Sequence, residues 1–198
     1  MGERIKVIMD CDPGIDDGIA LAYAAAHQDE LELLAVTTFA GNNTIDKVTK
    51  NALELVDFYG LNVPVARGQE GPLVKEVLHA EEFHGETGLG HCVLPEAKSE
   101  AVSDNAVLFI RELLNRLPEG KQVVMIETAP MTNLALLLKV FPEIKNKIRK
   151  IVFTGGAAKG GNITPAAEFN IYADPEAAKI VFDSCLLYTS PSPRDAHE

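Results

Sequence analysis

Apolar runs and helix-period stretches alternate along this chain. Runs at residues 5–9, 31–38, 63–66, 122–127 and 150–154 have the length and apolar character of strands. Stretches with helical spacing lie at residues 17–27, 45–59, 103–116, 131–140 and 175–183. This alternation predicts βαβ units and an α/β fold, an open, mostly parallel, Rossmann-like sheet with helices on both faces. The first helix is expected to begin near Asp16, with Ile19, Ala20, Ala22, Tyr23 and Ala26 as its apolar face. Residues 67–100 are rich in Gly, Glu and His and read as a loop region around a site rather than as scaffold.

From Cys185 onward the chain changes character. Ser190-Pro191-Ser192-Pro193 is turn or extended chain and cannot continue a helix. The expectation is a domain over residues 1–184 and a tail over residues 185–198 outside it. That tail reads as an added stretch of translated adapter or vector, with a natural disordered tail as the alternative.

Composition narrows the class. The 198 residues are 46% hydrophobic and 24% charged, an ordinary globular balance for one domain. A net charge of −11 argues against a nucleic-acid polymer as partner, since backbone binding needs a basic face. No apolar run reaches membrane-spanning length and no signal-peptide core follows Met1, so a cytoplasmic protein without a membrane partner is expected. Cys11, Cys92 and Cys185 show no metal-knuckle spacing, and Cys11 reads as a small buried residue.

The chemistry concentrates where the first apolar run ends. Asp10, Asp12, Asp16 and Asp17 place four carboxylates within eight positions around the turn Pro13-Gly14. Two such charges about 4 Å apart repel by about 4 kcal/mol at an effective dielectric near 20. The cluster therefore needs a cation, raised pKa values or dispersal into solvent. Asp16 and Asp17 alone would suit a helix N-terminus, as caps or macrodipole partners. Asp10 and Asp12 continue a core strand and fit that role less well. The end of a strand in an open α/β sheet is a ligand site, and a hard divalent cation suits oxygen donors.

Five segments in order resemble the calcium-dependent inosine-uridine nucleoside hydrolase family. They are Asp10-Cys11-Asp12-Pro13-Gly14-Ile15-Asp16-Asp17-Gly18, Phe39-Ala40-Gly41-Asn42-Asn43-Thr44, His84-Gly85-Glu86-Thr87-Gly88-Leu89-Gly90, Thr128-Ala129-Pro130-Met131-Thr132-Asn133-Leu134 and Gly161-Asn162 through Asn170. Tyr172-Ala173-Asp174-Pro175 continues the last, and the likeness runs from about residue 4 to 184. The resemblance implies the nucleoside hydrolase fold and hydrolysis of a ribonucleoside to free base and ribose, in purine or pyrimidine salvage. It implies Asp12 as general base and Ca²⁺ ligand, Asp17 and the Thr128 carbonyl as further Ca²⁺ ligands, and Asp10 as a supporting group. Asp16, Asn162, Glu168 and Asn170 become ribose contacts, Asn42 a ribose or calcium-shell contact, and His84 a catalytic residue near the nucleobase. It also implies a homodimer or homotetramer for the full-length parent. A further calcium-binding aspartate and a leaving-group histidine come in that family from beyond the matched stretch, so the site is expected to be incomplete here. Neither Asp195 nor His197 stands in matching context.

Two alternatives remain. One is a truncated, non-catalytic product that keeps ribose and Ca²⁺ binding. The other is a haloacid-dehalogenase-like phosphatase, which also places Asp-x-Asp after its first strand and would use Asp10 as nucleophile.

Overall fold

The computed structural model describes residues 3 to 190, the side chain of Glu81 excepted. Strands β1 (Ile5–Cys11), β2 (Leu31–Thr38), β3 (Val65–Ala66), β4 (Val123–Glu127), β5 (Ile148–Phe153) and β6 (Tyr188–Thr189) form one sheet in the order β3-β2-β1-β4-β5-β6. Every neighbouring pair is parallel. Helices α1 (Ile15–Ala26), α2 (Ile45–Phe58), α3 (Glu81–His84), α4 (Ala106–Asn115), α5 (Thr132–Val140), α6 (Phe169–Ala173) and α7 (Pro175–Phe182) connect them, with a 3-10 helix at Pro142–Lys147. The expected α/β architecture is what forms.

Successive side chains of a strand point to opposite faces, and β1 shows how that divides the core. Ile8 joins Ile110, Leu114, Leu134 and Val181 from α4, α5 and α7 on one face. Met9 and Cys11 join Leu21, Ala52, Leu55 and Val56 from α1 and α2 on the other. Connections run from β1 to β2 and β3 in one direction and from β4 to β5 and β6 in the other. The crevice between the ends of β1 and β4 is therefore the topological switch point, where such sheets bind ligands.

Several boundaries differ from expectation. β1 runs on to Cys11, so Asp10 lies in the sheet. The helix expected from residue 103 starts at Ala106, because Asn105 caps it by accepting the Leu108 N–H at 3.0 Å. Most of the apolar face assigned to α1 turns outward, although Ala20 packs against the core. Ile19 and Tyr23 are 67% and 60% exposed, while Asp17, Gly18, Leu21 and Ala24 are buried. The helix is apolar nearly all round, and the buried stripe is the one that brings Asp17 under the strand end and turns Gly18 towards Leu55, which a Cβ on Gly18 would meet at 3.6 Å.

The assignment of residues from 185 onward to a tail outside the fold is not what residues 185–190 do. Tyr188 pairs opposite Ile151 in β6, and its ring lies 4.9 Å from Phe182 and 6.0 Å from Phe153. Residues 191–198, the rest of that tail with Asp195 and His197, lie outside the described residues.

Candidate active site

The end of β1 delivers two buried carboxylates to the switch-point crevice. Asp12 is 1% exposed; its Oδ2 accepts the Asn42 N–H at 2.7 Å, and its carbonyl accepts Asn42 Nδ2 at 3.0 Å. Asp17, 2% exposed on the first turn of α1, accepts the Asp12 N–H at 3.3 Å. Burial, and next the charge of Asp17, pushes the Asp12 carboxyl well above the usual carboxylate range. Burial, followed by Asp16, raises Asp17 to about 6. Gly41 makes this packing possible, since a Cβ there would fall 2.0 Å from Asp12 Oδ2.

Asp10 lies deeper, fully buried. It accepts the Thr37 hydroxyl at 2.5 Å and Asn133 Nδ2 at 2.9 and 3.2 Å. Glu127 stands opposite it in the β1–β4 register, with both carboxyl oxygens buried and without a well-formed hydrogen bond. Burial first, then Asp10, pushes Glu127 well above the carboxylate range, and burial raises Asp10 to about 6. The bonds to Thr37 and Asn133 tie Asp10 to β2 and α5, and it is absent from the cavity lining. Asn133, which could have been a mere cap, also donates to the Thr38 carbonyl at 2.9 Å and accepts the Gln69 N–H at 3.1 Å. Neither it nor Glu127 has a local sequence signal that separates this role from helix entry or strand interior.

Above the acids opens a cavity of about 410 Å³. Of the residues expected to act, Asp16, Asn42, His84, Thr128, Asn162, Glu168 and Asn170 line it, and the rest of its wall includes Ala80, Phe83, Ile163 and Phe169. No Lys or Arg lines it. His84 Nδ1 lies 3.4 Å from the Ile15 N–H and 4.0 Å from Asp16 Oδ1. Asn170 donates both amide hydrogens at 2.8 Å, to the carbonyls of Thr128 and Thr154, which leaves its Oδ1 as an acceptor. Glu168 caps α6, accepting N–H groups from Asn170, Ile171 and Gly156 at 3.1, 3.3 and 3.1 Å. Asn162 accepts the Phe169 N–H at 2.8 Å. These turns, built on the glycine-rich stretch after β5, place the polar wall.

Of the histidines given no role, His79 has Nδ1 3.2 Å from the Gly41 carbonyl and His91 is exposed. Cys11 is buried and its thiol is pushed up by burial, so it is not a nucleophile. Asp12, Asp17 and the Thr128 carbonyl, which keeps a second lone pair, make an all-oxygen donor set suited to a hard cation. Among the described residues no group of three or more His, Cys, Asp or Glu side chains is placed to hold a metal.

Fold and site define a Rossmann-like α/β protein with an acidic crevice at the switch point. The chain belongs to the inosine-uridine preferring nucleoside hydrolase family, whose model matches residues 7–192. It is 50% identical over 184 residues to the pyrimidine-specific ribonucleoside hydrolase RihA of a Shewanella species, covering 92% of this chain and 57% of the relative. It is 45% identical over 181 residues to the non-specific ribonucleoside hydrolase RihC of Escherichia fergusonii, covering 91% and 59%. A purine-preferring ribonucleoside hydrolase from Gardnerella vaginalis superposes with a TM-score of 0.86 at 36% identity, covering 93% of this chain and 60% of that one. The chain thus spans about three fifths of the relatives' length. Family membership sets aside the phosphatase alternative, and so does geometry, because its nucleophile would be the fully buried Asp10.

Proposed function

We propose that this chain carries the catalytic crevice of a ribonucleoside hydrolase, which cleaves the N-glycosidic bond to give free base and ribose. The observation that supports it most is the buried Asp12–Asp17 pair, joined through Asn42 to a cavity that amide, carboxylate and apolar side chains line together. Hydrolysis passes through an oxocarbenium-like sugar, which buried carboxylates stabilise. Asp12 takes the proton of the attacking water. Asp16, Asn42, Asn162, Glu168 and Asn170 orient the ribose through its hydroxyls. His84 faces the departing base.

Asp12, Asp17 and the Thr128 carbonyl would hold Ca²⁺. When bound, the ion supplies a fixed positive charge that offsets the two carboxylates and lowers the pKa of a coordinated water. The relatives' names span pyrimidine-specific, non-specific and purine-preferring enzymes, so base preference does not follow from the family. The lack, among the described residues, of a group of three or more His, Cys, Asp or Glu that could hold a metal favours one second reading, ribose and cation binding without turnover.

Release of free base from uridine and inosine in the presence of Ca²⁺, followed chromatographically, tests the proposal. Turnover that is lost in Asp12→Asn supports hydrolysis. Ribose binding by calorimetry without base release would support the second reading.

A further inference from the structure

One buried amide ties the loop bearing His84 to the turn bearing Asp12. Asn51, in the middle of α2 and 4% exposed, donates to the Pro13 carbonyl at 3.1 Å and to the Thr87 carbonyl at 2.8 Å. Pro13 directly follows Asp12, and Thr87 lies three residues after His84. Its buried neighbours on α2 include the apolar Val48, Ala52 and Leu55 and the polar Glu54. A buried polar group must be hydrogen-bonded, and both carbonyl partners of this amide belong to segments that build the cavity.

The contact is tight. A Cβ at Gly88, where φ is +88°, would fall 2.9 Å from Asn51 Nδ2. Asn43 and Lys47 add bonds from the same side, both donating to the Glu86 carbonyl, at 3.1 and 2.7 Å. On the cavity side, the Ile15 N–H directed at His84 Nδ1 makes that nitrogen an acceptor. A neutral imidazole accepting at Nδ1 carries its proton on Nε2.

We propose that Asn51 is a positioning residue for His84. By clamping Pro13 to Thr87 it holds the imidazole against the Ile15 N–H, which fixes the tautomer and leaves Nε2–H as a donor into the cavity. Asparagine suits the task because one nitrogen supplies two hydrogens to two backbone acceptors on separate segments. The role in catalysis rests on the nucleoside-hydrolase reading, but the tautomer and its dependence on Asn51 do not.

The test is nitrogen–proton correlation NMR of the histidine side chains in the full chain, at a pH where the imidazoles are neutral, with His84 assigned through His84→Gln. The parent should show His84 as a single Nε2–H tautomer. Asn51→Ser, which keeps one donor, and Asn51→Ala, which keeps none, should shift the two ring nitrogens stepwise towards averaged positions. Lys50→Ala, on the exposed side of α2, should leave them in place. Should Asn51→Ala fail to fold, the serine variant decides alone. A His84 pattern in the serine variant that superposes on the parent's would overturn the proposal. So would a matching change at His27, at the far end of α1, because that reports general loosening. The readout needs no turnover, so an inactive chain leaves the result intact.

Discussion

At the residue scale, the account turns on carboxylates held where water cannot solvate them. If Asp12 is the general base, Asp12→Asn should lower turnover by roughly 10²- to 10⁴-fold, the range for losing such a group. Base release within a few-fold of the parent would remove it from the role. Gly41→Ala should disturb the same carboxylate without touching its chemistry, since the new Cβ overlaps Asp12 Oδ2. A destabilisation of about 1–3 kcal/mol is expected, as for other overpacked sites, read from denaturant midpoints. The buried acids also set a pH dependence. Asp10 and Asp17 rise from 3.8 to about 6 on folding, so the folded state holds protons that the unfolded chain has released. With Ca²⁺ chelated, stability should be highest below pH 4 as far as these two groups decide, and should fall as pH rises through 6. Melting temperatures across that window check the sign, and added Ca²⁺ should flatten the decline. The charged members of this site were legible because four acids around one turn have few other uses. Glu127 and Asn133 were not, because a single Glu at a strand end and a single Asn at a helix start look ordinary until the register places them on Asp10.

Elements were legible wherever apolar period and length agreed, which covers β1, β2, β4, α2 and α5. Short elements were missed, since α3, α6 and β6 owe their form to tertiary contacts rather than to any period of their own. α1 shows the opposite failure. Its sequence is apolar on several faces, so periodicity could not choose which stripe lies inward, and the choice falls to Asp17 at the strand end. The polar wall was legible as residue types but not as geometry. Glu168 reads as a sugar acceptor and also caps α6, a local competition that the Glu-Phe-Asn string does not display. A prediction belongs to β6. Tyr188 completes a ring cluster with Phe153 and Phe182 at the sheet edge. Aromatic pairs contribute about 0.5–1.5 kcal/mol beyond buried area, so Tyr188→Ala should lower the melting temperature by several degrees. An unchanged melting curve would return these residues to the status of an appended tail.

For the whole molecule, the strand order does most to place function. It sets the reversal of connection direction between β1 and β4, and the acids, the Thr128 carbonyl and the His84 loop all converge on that crevice. The relatives are longer than the stretch matched here, and the proposed cation donors are Asp12, Asp17 and the Thr128 carbonyl. Calcium binding by this chain is therefore the point on which the account stands or falls. The most direct measurement is calorimetric titration of the chelator-stripped chain with Ca²⁺, beside Asp17→Asn. The account predicts saturable binding near one ion per chain, greatly weakened in the variant. No binding heat in the parent up to millimolar Ca²⁺, or equal affinity in parent and variant, would contradict it.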